Sequence, residues 1–165
     1  FIVIVKNYSN VEFIEVPFIA LVKDFKIMKP KNIPTGNSKE DIKTRERIIS
    51  DFYYEWKRSN PTQRLFNIDL KDYINIRHIS IIETVEHAAR TYLSTLAVLQ
   101  LDSILTFAKK VRIVNVKPKD KNQNQFEKMI KMEYELVGIG KVSLIVGVKR
   151  SNKEKVQYCI TAIKT

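Results

Sequence analysis

FEKMIKMEYELV over 126–137, KVSLIVGVK over 141–149 and KVQYCITAI over 155–163 are three successive stretches in which apolar and polar residues alternate. A period of two is the signature of a pleated strand with one face buried and the other wet. In the first stretch Phe126, Ile130, Met132, Tyr134 and Leu136 share one face, and Glu127, Lys131, Glu133 and Glu135 share the other. In the second, Val142, Leu144, Val146 and Val148 point inward; in the third, Val156, Tyr158, Ile160 and Ala162 do. Gly138-Ile139-Gly140 and Ser151-Asn152-Lys153-Glu154 supply the turns between them. A further strand over 111–116, joined through the polar loop 119–125, completes an antiparallel meander of four strands.

Working upstream, Ser80 and Glu83 stand at capping-box spacing, and Ile81, Val85, Ala88, Tyr92, Leu96 and Leu99 recur at helical spacing, so a helix is expected over 81–99. Residues 102–111 continue or restart it. A second helix is expected over 39–58, capped by Ser38 with Asp41 three residues on and stopped by Asn60-Pro61. Short strands are read over 64–68 and 73–79. Residues 1–5 and 11–16 form a hairpin about Asn7-Tyr8-Ser9-Asn10, residues 17–25 a short helix, and the Pro-, Gly- and Asn-containing run 29–37 a linker. The expected fold is α+β: helices packed on a C-terminal four-stranded antiparallel meander over 38–165, with a small β-hairpin region over 1–37.

Charge is distributed unevenly. Of the net +11, residues 109–165 hold 14 Lys and Arg against 5 Asp and Glu, a net +9. A basic sheet of this kind points to a polyanion, with nucleic acid first. Strand solubility is the plain alternative. Lys149 and Arg150, with Lys141, Lys153 and Lys155 nearby, are the candidate phosphate clamps. The single Cys159 excludes an internal disulfide framework and a Cys-rich zinc site, and fits a reducing, cytoplasmic compartment. No apolar run is long enough for a membrane span. The chain begins at Phe1, not a usual initiator, so the lack of a leader says nothing about destination.

On a helical wheel Glu83, His87, Arg90 and Ser94 share a stripe opposite the apolar face. This set combines an imidazole, a carboxylate one turn earlier and a guanidinium one turn later, which suits phosphoryl chemistry; a solvated helix face is the alternative. His78 reads as an ordinary, partly buried histidine at a strand end. Tyr158 reads as core, while Thr161 shares the opposite, more accessible face with Gln157 and Cys159. There is no Gly-rich phosphate loop, HExxH or GxSxG, and no paired Cys or His at metal spacing, so neither a cofactor nor a metal is expected. Cleavage of nucleic acid without metal needs the RNA 2′-OH as nucleophile, so RNA is the expected substrate.

From about residue 79 to the end, the helix IIETVEHAA (81–89) followed by strands ending VGVKR (146–150) and VQYCIT (156–161) resembles the barnase–EndoU–colicin E5/D–RelE-like predicted nucleases of phage and mobile-element polyvalent proteins and polymorphic toxins. The resemblance implies metal-independent RNA cleavage by a helix histidine or arginine, His87 or Arg90, a strand cation, Lys149 or Arg150, and a hydroxyl, Thr161. An immunity or other partner protein would accompany such a domain. Members that have lost catalysis also exist, so a non-catalytic nucleic-acid-binding or adaptor module is the companion expectation.

Overall fold

A computed structural model describes residues 2–7, 10–15 and 32–164. Strands β1 (Ile2–Asn7) and β2 (Asn10–Glu15) pair antiparallel as a separate two-stranded sheet. The expected helix over 17–25 and the first part of the linker lie outside the described residues. Helix α1 (Lys39–Ser59) starts where the capping box places it: the Ser38 hydroxyl accepts from the Asp41 amide, and the Asp41 carboxylate accepts from the Ser38 amide. It buries Arg45, Ile49, Tyr53 and Trp56 along one stripe. At its end the Asn60 amide and side chain both donate to the Trp56 carbonyl.

Strands β3 (Arg64–Asn67) and β4 (Asp72–Asn75) form a hairpin. The chain then turns into helices α2 (His78–Ala88), α3 (Tyr92–Val98) and α4 (Leu101–Phe107). Three expectations are corrected here. His78 is the exposed first residue of α2 rather than the end of a strand, and Ser80 is the third helical residue, its hydroxyl reaching back to accept from the Arg77 amide. The single helix over 81–99 is broken after Ala88. Thr91 takes an extended conformation and caps α3 by accepting from the Ser94 amide, and the Arg45 side chain donates to the Ala89 and Arg90 carbonyls that the break exposes.

The main sheet has six strands in the order β3-β4-β8-β7-β6-β5, with β5 (Lys109–Val114), β6 (Phe126–Leu136), β7 (Gly140–Lys149) and β8 (Lys155–Ala162). The α+β class holds and β5 to β8 follow in sequential antiparallel order, but the sheet is not confined to four strands. The β3–β4 hairpin extends it beyond β8, with β4 running parallel to β8 through Asn75 and Val156. An open edge on β8 would leave backbone groups unpaired. Beyond the short β4 contact, helices cover it: the Ser94 hydroxyl of α3 accepts from the Ala162 amide, and Gln157 donates to the Thr84 hydroxyl of α2.

The core lies between the helices and one sheet face, joining Ile49, Tyr53, Ile81, Val98 and Ile104 to Ile130, Met132, Val142, Leu144, Val146 and Ile160. Within it, Tyr53 donates to Gln157, and burial raises the Tyr53 hydroxyl above its ordinary range. Two strand residues depart from strict alternation. A bulge between Phe126 and Lys128 turns Phe126 to the other face, where its ring lies over Gly147; a Cβ there would meet ring carbons at 2.6 Å. The register shift that pairs Ile145 with Cys159 but Val146 with Gln157 leaves Tyr158 as an extra residue. Gln157 is thereby fully buried on the helix side, not on an accessible face, while Tyr158 packs edge-on against Phe126 in a second, smaller core with Met129, Val156 and Cys159.

Candidate nucleic-acid interface

The stripe expected to face solvent on α2 divides in the fold. Glu83 and Ser94 are buried, whereas Arg90 is exposed. The Glu83 side chain, 5% exposed, sets one carboxylate oxygen 3.4 Å from Nε2 of His87, whose side chain is 40% exposed. The other oxygen accepts from the Asn122 amide group. A buried carboxylate thus stands beside a half-exposed imidazole. The Tyr158 hydroxyl lies buried beside Gln123 and Glu83 with no hydrogen-bond partner among the described residues, and burial raises it above its ordinary range.

Asn122 belongs to the loop joining β5 to β6, and its contact with Glu83 brings that loop against α2. The loop is built from its own side chains: Gln123 accepts from the Lys117 amide, and Asp120 accepts from the Asn122 amide. It also reaches the β7–β8 turn, since Arg150 donates to the Asn124 carbonyl and its amide to the Gln125 carbonyl. Lys117, Lys119, Lys121 and Arg150 are exposed around it, and among the described residues none is ion-paired.

The cations expected to clamp phosphate are otherwise engaged. Lys149 lies 3.0 Å from Glu154, which also binds Arg77; Lys155 lies 2.6 Å from Asp72; Lys141 lies 3.6 Å from Glu133; and Lys153 pairs with Glu127. These partners lower Glu154, Asp72 and Glu127. Burial pushes Glu154 up, but its bonds to Arg77 and Lys149 outweigh that and hold it below its ordinary value; in the same way the Lys155 bond and the Tyr73 amide overcome burial at Asp72. Glu127 is lowered chiefly by its bond to Lys153. Of the five expected contacts, only Arg150 is without an acidic partner among the described residues.

The expected catalytic set is brought together in part. Cys159 lies beside α2, its thiol donating to the Glu83 carbonyl over 3.9 Å, and Glu86 and Arg90 both act on its charge. Burial pushes that thiol up to about 12, so it is not a nucleophile at neutral pH. Thr161 shares the Cys159 face by alternation and pairs with Ser143 on β7. Arg90 lies 3.4 Å from Glu86 in an exposed, weak pair. Lys149 is elsewhere: it stands six residues along β7 from Ser143, about 20 Å at the rise of an extended strand. The two histidines do not converge, since nine residues of continuous helix set His78 and His87 about 14 Å apart along the axis.

Asn122, the Tyr158 hydroxyl and the lysines of 117–121 were not anticipated as site residues. A signal was present for the lysines: residues 109–121 hold six cations and one acid, a net +5. Among the described residues no three His, Cys, Asp or Glu side chains gather to hold a metal ion, and no helix is long and apolar enough to cross a membrane. No protein-family model matches the chain, and no curated protein or solved structure matches it.

Proposed function

We propose that this chain binds RNA along the loop 117–125 and Arg150, and that His87, oriented by Glu83, cleaves the bound strand without a metal ion. The observation that carries the reading is the buried carboxylate under a half-exposed imidazole, roofed by a loop whose Lys117, Lys119 and Lys121 have no acidic partners among the described residues. Phosphates held by those lysines would pass beside the imidazole. The imidazole of His87 then takes the proton of the 2′-OH as its oxygen attacks phosphorus. The bond to the 5′-oxygen breaks, and that oxygen takes its proton from water. Arg90 stands one turn from His87 to stabilise the phosphorane.

A second reading, binding without cleavage, is favoured by the position of Lys149, which is tied to Glu154 and supplies no acid near His87. One experiment separates the two. RNA incubated with the protein in EDTA should yield 2′,3′-cyclic phosphate and 5′-hydroxyl ends, and His87→Ala should slow their formation by about 10²–10⁴-fold while leaving affinity and fold unchanged. Intact RNA in a saturated complex would leave the binding module as the function.

A further inference from the structure

Strand β5 is the outermost strand beside β6, and a different chemistry gathers on its free side. Val111 and Ile113 are 53% and 44% exposed there. Ile68 and Phe107 add to them, the Ile68 amide donating to the Thr106 carbonyl at the point where α4 leads into β5. Four of the eight exposed large apolar side chains among the described residues therefore surround this one edge, where chance scatter would leave them apart. Lys109, Lys110 and Arg112 alternate with the aliphatics, exposed and without ion pairs among the described residues. At the start of the strand, Phe107 and Tyr134 stack at 6.1 Å beside a groove of about 440 Å³, lined also by Lys109, Glu133 and Glu135.

We propose that the β5 edge is a docking site for an extended acidic segment of a partner protein, which adds to the sheet as a seventh strand and seats one apolar side chain in the Phe107–Tyr134 groove. An unpaired strand edge offers main-chain bonds to any extended peptide; the side chains choose which. The chain itself shows the preference, because the Asp69 carboxylate accepts from the Lys110 amide at 2.8 Å. A second copy is a poor occupant, since antiparallel pairing of β5 with itself about Val111 sets Lys110 against Arg112 at two positions and crowds the cations of both copies together. RNA is also a poor fit: Ile68, Val111 and Ile113 give a base neither a stacking ring nor a hydrogen bond, unlike the polar loop 117–125.

The test uses the full chain and a labelled synthetic peptide of alternating Glu and Val with one central Phe, against the same peptide with Lys for Glu. The acidic peptide should bind at least about tenfold more tightly, and should slow amide hydrogen exchange at 111–114 but not at 117–125. Val111→Glu with Ile113→Glu should abolish binding; both side chains are exposed, and circular dichroism checks the fold. Lys109→Gln, Lys110→Gln and Arg112→Gln together should weaken it and remove most of its salt dependence. Equal affinity for the two peptides, or no binding up to about millimolar peptide, would overturn the proposal. So would self-association that protects 111–114 without peptide, or protection of that edge by an RNA oligonucleotide instead.

Discussion

The β7–β8 turn and the β5–β6 loop are about equally basic in sequence, yet one has its lysines locked and the other has them free. Around the turn, Lys149 holds Glu154 of the turn itself, and Lys153 and Lys155 hold Glu127 and Asp72 from other parts of the chain. Around the loop, Lys117, Lys119 and Lys121 hold none among the described residues. Net charge therefore counts what a segment owns, whereas the field offered to a polyanion depends on which charges the fold has already neutralised. The first group serves the fold; the second is left for a partner.

Arg45 is the extreme of the locked group, and the largest effect is expected there. It is fully buried, has no acidic partner among the described residues, and donates instead to the carbonyls of Pro34, Gly36, Ala89 and, at 3.5 Å, Arg90. The cation also suits the C-terminal end of α2, where carbonyl dipoles accumulate. Arg45→Ala should cost about 3–5 kcal/mol in urea unfolding, since it strands these acceptors in the interior. Arg45→Lys should not rescue it, because one ammonium cannot span acceptors that a planar fork reaches. A cost below about 1 kcal/mol would mean that water replaces the guanidinium.

Next in size is the free group. Replacing Lys117, Lys119 and Lys121 by Gln should weaken binding to single-stranded RNA more than about tenfold at low salt. It should also reduce the slope of log affinity against log salt by about 2, at roughly 0.7 for each phosphate that is no longer neutralised. An unchanged slope would remove the distinction between the two groups.

What the sequence made legible stops where distant contacts begin. Helix α1 follows from its capping box and apolar spacing, and β6, β7 and β8 from a period of two, because these signals are local. The break after Ala88 is stabilised by a side chain 44 residues earlier, so nothing in 81–99 announces it. The outward turn of Phe126 and the extra residue at Tyr158 come from bulges, which are properties of two strands and not of one. At the candidate site, His87 and its carboxylate were readable as an i,i+4 pair. The Asn122 contact was not, since it closes a loop of 39 residues.

A smaller effect is expected from the locked lysines. Lys149→Gln with Lys155→Gln should leave the RNA salt slope as it is and cost about 1 kcal/mol at neutral pH, screening by solvent included. The pH dependence has a definite sign. Asp72 and Glu154 are held below their ordinary values in the fold, so their stabilisation is complete above those values and fades as pH falls through the lowered ones. Wild-type and variant unfolding free energies should therefore converge below about pH 4. A gap that persists down to about pH 2, where carboxylates are protonated, would assign the effect to packing of the lysine stems.

The most direct measurement is amide hydrogen exchange of the full chain with and without a short single-stranded RNA at low salt. Slowed exchange confined to 117–125, to Arg150 and to 86–91 at and just beyond the end of α2, with the rest of the turn at 151–155 unaffected, is the result expected if RNA seeks the free cations beside His87. Protection centred on 149–155, with the loop unchanged, would contradict it.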